Sequence, residues 1–147
     1  MAGDILVGYD GQEASVAAIA TATAIASAFG RELVIVFGYR PAPIGGDVPS
    51  MARAVRDVGE EMTKEALTRV ADSDPDVVAT VELVDDRPAE AILRAADEHD
   101  ALMIVVGSSN KGPIAGSLLG SVCYQVVHRT TRPVVVVPVS DDDATPG

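Results

Sequence analysis

The sequence predicts an α/β fold with a single doubly wound, parallel, five-stranded sheet and helices on both faces. Short continuous apolar runs, typical of strands covered on both faces, alternate with segments whose apolar residues recur at helical spacing. The chain has 147 residues, of which 48% are hydrophobic and only 3% aromatic, so one domain with an aliphatic core is expected. Because strands separated by helices run parallel through right-handed crossovers, the product is a doubly wound sheet.

Nine predicted elements follow one another in the order β-α-β-α-β-α-β-α-β. Gly30 is placed to end the first helix, and Pro88 to begin the third. Residues 77–84 alternate in polarity, which predicts an edge strand, whereas 101–106 is the most apolar run and is expected to be the central strand. The strands are predicted at 5–8, 33–39, 77–84, 101–106 and 134–139, and the helices at 13–29, 51–70, 88–99 and around 118–127.

Three segments depart from this pattern. Residues 40–50 carry three prolines and a Gly-Gly pair, which predicts a mobile loop. The folded domain is expected over 1–140, with 141–147 as a disordered acidic tail because it has few apolar residues. Residues 14–30 contain no charge, but they are too short and too rich in Ala and Thr for a membrane span, so a buried helix is expected there.

Charge and cysteine content exclude several classes of protein. There are 11 Lys and Arg against 22 Asp and Glu, a net charge of −11, which argues against sequence-independent nucleic-acid binding and against a polybasic membrane anchor. The single cysteine, Cys123, excludes an internal disulfide and a cysteine-based metal cluster, and its place on an apolar stripe predicts a core position. No signal peptide is visible, so a cytoplasmic location is expected.

The geometry of a doubly wound sheet predicts where a ligand binds. It binds outside the carboxyl ends of the strands where the strand order reverses, which singles out 9–11 and 107–110. The glycine-rich segment 107–121 lies between a buried strand and an amphipathic helix, and it contains one cation, Lys111. Backbone N–H groups of such a turn and of a helix N-terminus can bind phosphate. From these residues alone, phosphate binding and a purely structural loop remain open.

Other sites are not supported by the sequence. The spacing of Gly107 and Gly112 is that of a P-loop, but 113–114 is Pro-Ile where lysine and a hydroxyl residue would be needed. A receiver domain would need paired acids after the first strand, and Asp10 stands alone there. His99 and His128 are expected to be solvated on their helices, and two histidines with one cysteine do not make a metal site.

Several segments together resemble the universal stress protein family. The resemblance extends in the right order from Asp4 to Val139 and rests on 7–15, 86–92, 106–107, 120–122 and 132–137. It implies a Rossmann-like fold of the adenine-nucleotide-binding type. Residues 134–139 form an apolar edge strand that a monomer would leave exposed, and the resemblance implies a homodimer in which two such strands pair.

The nucleotide-binding members of that family carry the motif Gly-x2-Gly-x9-Gly-Ser/Thr over the phosphates and ribose. On this chain the motif falls on Gly107, Asn110, Gly120 and Ser121, and Asn110 departs from the motif glycine. Asn tolerates left-handed backbone, so the turn is expected to survive.

The resemblance also places residues around the nucleoside. Asp10 would accept hydrogen bonds from ribose hydroxyls, the backbone of Gly38 would meet the adenine edge, and Val106 and Val122 would wall the pocket. An Asx-turn into the first helix is the alternative role of Asp10, and the two roles are compatible.

The expected function is binding of ATP, with or without Mg, by a homodimer that acts in the stress response. Binding is expected rather than turnover, because no base is placed to activate water and no carboxylate pair is placed for metal-assisted phosphoryl transfer; any hydrolysis should be slow. The alternative is a dimeric interaction protein that binds no nucleotide, which Asn110 favours. A nucleotide transferase is less well supported, since 8–13 lacks the Ser-Gly-Gly-x-Asp-Ser loop of such enzymes.

Overall fold

The computed structural model describes residues 3–39, 48–109 and 120–139, which contain five strands and four helices in strict alternation. This arrangement confirms the predicted α/β class. The tail 141–147 and most of the expected loop at 40–50 lie outside the described residues. In chain order the elements are β1 (Ile5–Gly8), α1 (Glu13–Phe29), β2 (Leu33–Gly38), α2 (Val48–Ser73), β3 (Ala79–Val84), α3 (Pro88–Glu98), β4 (Met103–Ser109), α4 (Ser121–Arg129) and β5 (Val134–Val139).

The five strands form one parallel sheet in the order β3-β2-β1-β4-β5. In the register of the central strands, Val7 of β1 lies between Ile35 of β2 and Val105 of β4. The predicted edge positions of β3 and β5 are confirmed, but the prediction that 101–106 forms the central strand is wrong, because β1 occupies the middle. A long apolar run indicates that helices cover a strand on both faces, and it does not indicate the position of the strand in the sheet. Strand β4 is buried in this way although it lies beside the central strand.

The sheet separates two aliphatic clusters. Helices α1 and α2 pack on one face, and α3 and α4 pack on the other. Leu6, Val36 and Ile104 belong to the α3–α4 cluster, whereas Ile5, Val7 and Ile35 belong to the α1–α2 cluster. Successive residues of each strand therefore serve opposite faces, which is why the strands carry unbroken apolar runs.

Cys123 lies in the α3–α4 cluster with only 2% of its surface exposed. Its predicted core position is therefore confirmed. Burial raises the pKa of the Cys123 thiol above its ordinary value, so the thiol stays protonated at neutral pH.

Two predicted helix boundaries are confirmed, whereas α2 begins earlier than predicted. Gly30 ends α1 in a left-handed conformation, φ 63°, and Pro88 stands in the first turn of α3, both as predicted. The helix predicted from residue 51 instead begins at Val48. Pro49 fits its first turn, because a first-turn residue has no partner in the helix for the N–H that proline lacks. None of the helices in the described ranges is both long and apolar enough to cross a bilayer.

The sequence predicted a solvated His99, and this prediction is wrong. Its Nδ1 lies 3.3 Å from an Asp4 carboxylate oxygen, its Nε2 contacts the Glu82 carboxylate, and 26% of its side chain is exposed. Burial by itself lowers the pKa of His99, but hydrogen bonds and charge attraction from Glu82 and Asp4 outweigh burial and raise it. The imidazole thus ties the end of α3 to edge strand β3. His128 is exposed as predicted, and its ring contacts that of Tyr124 in a tilted arrangement, with ring centroids 4.2 Å apart and an interplanar angle of 41°.

Candidate functional site

A cavity of about 110 Å³ opens at the carboxyl ends of β1, β2 and β4. It lies between β1 and β4, where the strand order reverses, which is the place predicted from the topology. The first turn of α1, the first two turns of α3 and the start of α4 line its sides. The lining residues are Gly8, Tyr9, Asp10, Ala14, Ser15, Val36, Gly38, Pro88, Ile92, Val106, Gly107 and Val122.

The fold brings together most of the residues predicted for the site. Five of them line the cavity: Asp10, Gly38, Val106, Gly107 and Val122. Gly120 and Ser121 form the exposed N-terminal end of α4, one residue before Val122, whereas Asn110 lies outside the described residues.

Asp10 begins a hydrogen-bonded turn into α1. Its Oδ1 accepts hydrogen bonds from the Gln12 N–H at 2.9 Å and from the Ser15 hydroxyl at 2.8 Å, and its own N–H donates to Ser15 Oγ at 3.2 Å. The Asx-turn expected as one of its two roles is therefore present. Asp10 is nevertheless exposed, and it lines the cavity.

Gly38 presents backbone groups to the cleft. The backbone groups of successive β2 residues bond alternately to its two neighbours: Val36 C=O accepts from Tyr9 N–H on the β1 side, and Tyr39 N–H donates to Val84 C=O on the β3 side, both at 2.9 Å. Gly38 is two residues after Val36, so by the same alternation its N–H and C=O point to the β1 side. They lie beyond the residue at which β1 ends, and one donor and one acceptor therefore face the cavity.

The start of α3 packs closely against Gly38. A Cβ atom built on Gly38 would lie 2.9 Å from Pro88 Cα and 2.9 Å from Ala91 Cβ, so a side chain there would push α3 away from β2. This glycine is required by packing, and its contacts fix the distance between the end of β2 and the cavity wall formed by Pro88 and Ile92.

Sequence reasoning did not single out the carboxylate that anchors this wall. Asp86 is only 7% exposed, its Oδ1 accepts a hydrogen bond from the Arg87 N–H at 2.8 Å, and its Oδ2 contacts the Arg94 guanidinium. The sequence signal that could have identified Asp86 is its position two residues before Pro88, the proline at the start of the predicted third helix.

The two ends of the glycine-rich segment lie next to each other. Gly120 N–H donates a hydrogen bond of 3.4 Å to Ser108 Oγ, and Ser108 is buried. A Cβ on Gly107 would lie 2.1 Å from the Ala14 carbonyl oxygen, whereas a Cβ on Gly120 would meet nothing in the described part of the chain within 4 Å. One glycine is therefore held by packing against α1, whereas the other has no such contact with the described residues.

The electrostatics at this end of the sheet suit an anion. Within the described residues no side-chain hydrogen bond caps the first turn of α4, and the N–H groups of that turn form the positive end of the helix dipole. Across residues 3–39, 48–109 and 120–139, no group of three or more His, Cys, Asp or Glu side chains is placed to hold a metal ion.

Comparison with known proteins assigns the chain to a family. The family model described as the universal stress protein family matches residues 1–138. A universal stress protein from Thermus aquaticus is 34% identical over 136 residues, covering 90% of this chain and 96% of that protein. One from Mycobacterium tuberculosis (strain ATCC 25618 / H37Rv) is 35% identical over 133 residues, but the match covers 44% of that longer protein.

A solved structure agrees with these sequence matches. The crystal structure of a universal stress protein in complex with cAMP has a TM-score of 0.73 and 29% identity, covering 94% of this chain and 98% of that one. The shared fold is the Rossmann-like doubly wound sheet predicted from the sequence. Sequence and structure together show that the chain belongs to the universal stress protein family.

Proposed function

We propose that this protein binds an adenine nucleotide, ATP in the first place, in the cleft between β1 and β4. The observation that carries the proposal is the N–H and C=O pair of Gly38 facing the cavity beyond the end of β1. Adenine presents an N6–H donor beside the N1 acceptor, whereas guanine presents the O6 acceptor beside an N1–H donor. One backbone acceptor and one donor in a row match the adenine edge, and with the base held in one orientation their order distinguishes adenine from guanine.

The other cavity groups suit the rest of the nucleotide. Val106 is 3% exposed, and with Val122 it offers an apolar wall for the base. The exposed Asp10 carboxylate can accept hydrogen bonds from ribose hydroxyls. Gly120 has no side chain, and no described residue lies within 4 Å of its Cβ position, so phosphate oxygens can approach the backbone N–H groups at the start of α4, where Ser121 adds a hydroxyl.

The related structure supports the class of ligand. The protein with 29% identity was crystallised in complex with cAMP, which contains adenine, ribose and phosphate. We extend that chemistry to this chain because the cavity lining and the adjoining start of α4 supply a partner for each of the three parts.

The proposed role is nucleotide-dependent binding in the cytoplasmic stress response rather than catalysis. Among the described residues that line the cavity, Asp10 is the sole carboxylate, and its Oδ1 already accepts two hydrogen bonds in the turn before α1. A single carboxylate so engaged is poorly suited to hold Mg and activate water together. ATP is therefore expected to bind with or without Mg, and hydrolysis, if it occurs, to stay well below about 1 s⁻¹.

The test combines recovery of a natural ligand with titration. The purified protein is denatured and the released small molecules are chromatographed, and ATP binding is measured by calorimetry for the wild type, Gly120→Val and Asn110→Gly. We expect an adenine nucleotide in the released fraction, weaker ATP binding by Gly120→Val, and equal or tighter binding by Asn110→Gly. If neither measurement detects any adenylate, nucleotide binding is refuted.

A dimeric interaction protein without nucleotide is the second candidate, and Asn110 in place of the motif glycine favours it. The same titration separates the two functions. If the wild type binds no ATP and Asn110→Gly does, the site is built but attenuated in this chain, and the interaction function stands.

We also propose a homodimer in which the β5 strands of two copies pair. The four valines 134–137 of this edge are partly exposed, and no charge interrupts β5. The other edge, β3, carries the inward-facing Glu82, which His99 covers. Uncovered apolar edges invite strand pairing, and inward charges oppose it.

Sedimentation at micromolar concentration tests the dimer. We expect twice the 15.1 kDa chain mass for the wild type and for Leu83→Lys on β3, and dissociation for Val136→Lys on β5. A wild-type monomer would contradict the proposed dimer, and a dimeric, folded Val136→Lys would place the interface elsewhere.

A further inference from the structure

We infer that the ion pair between Asp86 and Arg94 positions the cavity wall formed by Pro88 and Ile92. With the backbone edge of Gly38 this wall forms the slot proposed for the base, called the adenine slot below, so the pair sets the preference of the cleft for adenine over guanine. This inference rests on the proposed nucleotide binding, and it assigns a role to two residues that do not line the cavity. Both act through the start of α3, so they are positioning residues.

The pair joins the end of β3 to the second turn of α3. Asp86 N–H donates to the Val84 carbonyl at 2.8 Å, which fixes the residue to the strand, and the Asp86 side chain is 10% exposed. One carboxylate oxygen accepts the Arg87 N–H at 2.8 Å, and the other contacts Arg94. A residue held by its backbone N–H and by both carboxylate oxygens is a rigid anchor for the helix that starts beside it.

This anchor touches the groups that would recognise the base. The Asp86 carbonyl oxygen lies 3.1 Å from the Cβ position of Gly38, and Pro88 Cα lies 2.9 Å from it. Pro88 and Ile92, on the same helical stretch as Arg94, line the cavity together with Val106 and Val122. The pair therefore sets the distance between the backbone edge of Gly38 and the side chains that would cover the base.

The choice between adenine and guanine depends strongly on the distance between Gly38 and the wall formed by Pro88 and Ile92, whereas phosphate binding does not. The Gly38 donor and acceptor match adenine only if the base lies in their plane, and the wall keeps it there. The groups proposed for the phosphates belong to Gly120 and the first turn of α4, and the hydrogen bond from Gly120 N–H to Ser108 ties them to β4 rather than to α3. A looser wall should therefore weaken recognition of the base and leave phosphate binding unchanged.

The chain offers a matched control on the same helix. Glu90 of α3 pairs with Arg129 of α4, with the Arg129 guanidinium on both carboxylate oxygens, and neither residue lines the cavity. Arg129 and Arg94 are similarly exposed, at 46% and 51% of the side chain. Loss of Arg129 removes an α3 ion pair without touching the slot.

The experiment measures displacement of a fluorescent ATP analogue by ATP, by GTP and by inorganic tripolyphosphate. The variants are Arg94→Met, Arg94→Lys, Asp86→Asn and Arg129→Met. For Arg94→Met we expect ATP affinity to fall about tenfold, tripolyphosphate affinity to stay within about twofold, and the ATP-to-GTP preference to shrink accordingly. Asp86→Asn, which keeps the acceptor for the Arg87 N–H, should shift the preference the same way.

Arg94→Lys should recover most of the preference, and Arg129→Met should match the wild type. An Arg94→Met and an Asp86→Asn protein that both keep the wild-type ATP-to-GTP ratio would overturn the inference while leaving the proposed function intact. An equal loss for ATP and tripolyphosphate would also overturn it, because the effect would then be a general loss of structure. A wild type that binds neither ATP nor GTP removes the proposed function, and the inference falls with it.

Discussion

Gly107 and Gly120 belong to one sequence motif, but the structure gives them opposite surroundings. A side-chain carbon on Gly107 would collide with the backbone of α1 at Ala14, 2.1 Å from its carbonyl oxygen. The same carbon on Gly120 meets open space in the described part of the chain, and the φ of −59° there suits any residue. Gly107 is thus needed for β4 to pack on α1, whereas Gly120 is not needed by the described fold.

The difference shows that a motif glycine can be explained by packing or by ligand approach. Both sorts occur on one segment, and the Ser108 hydroxyl connects its two ends. A substitution that leaves the fold intact and removes binding is informative about the ligand, and such substitutions are available at Gly120 but not at Gly107.

The largest expected effect comes from Gly107→Ser. The Ala14 carbonyl belongs to the backbone of a helix and cannot move aside cheaply, so we expect a loss of about 3 kcal/mol in the free energy of unfolding. Chemical denaturation followed by circular dichroism measures it. A variant within about 0.5 kcal/mol of the wild type would show that α1 does not pack on β4 as described.

A smaller effect is expected from Ser108→Ala, which removes the hydroxyl that accepts the Gly120 N–H. Loss of one such hydrogen bond should cost about 1 kcal/mol of stability, and the freed segment should bind ATP a few-fold more weakly. Denaturation and calorimetry on the same preparation measure the two changes. Unchanged stability with unchanged affinity would mean that this contact does not hold the ends of the segment together.

The smallest expected change in stability comes from Gly120→Ser. Gly120 is the N-cap residue of α4, and serine is favoured at an N-cap because its hydroxyl can accept a hydrogen bond from an N–H of the first turn. The free energy of unfolding should therefore stay level or rise by about 0.5 kcal/mol. The added side chain should nevertheless weaken ATP binding, as measured by calorimetry. If Gly120→Ser destabilises the protein as much as Gly107→Ser does, the two glycines do not differ as the structure indicates.

Local signals in the sequence predicted much of the fold and part of the site. The alternation of strands and helices, the end of α1 at Gly30 and the start of α3 at Pro88 depend on neighbouring residues, and all are confirmed. The topology rule placed the cavity at the ends of β1 and β4, and it brought Asp10 and Gly107 together.

Contacts between distant residues were not predictable in the same way. His99 on α3 was expected in solvent, but the packing of α3 on the sheet brings Asp4 and Glu82 to it. Asp86 drew no attention as a single acid, because its partner Arg94 is identified only once the helix is built. The middle position of β1 depends on which strands pair, and hydrophobicity does not report that.

By itself the sequence determined the class of fold, the order of its elements, the two edge strands and the end of the sheet at which a ligand would lie. These follow from periodicity, caps and chain connectivity, which act over a few residues or over the order of the chain. Tertiary structure decided why each glycine is there, which acid anchors α3, and that Gly38 points its backbone groups into the cavity. Those properties arise only when separate segments meet, because steric contact and hydrogen-bond direction are set by neighbours in space.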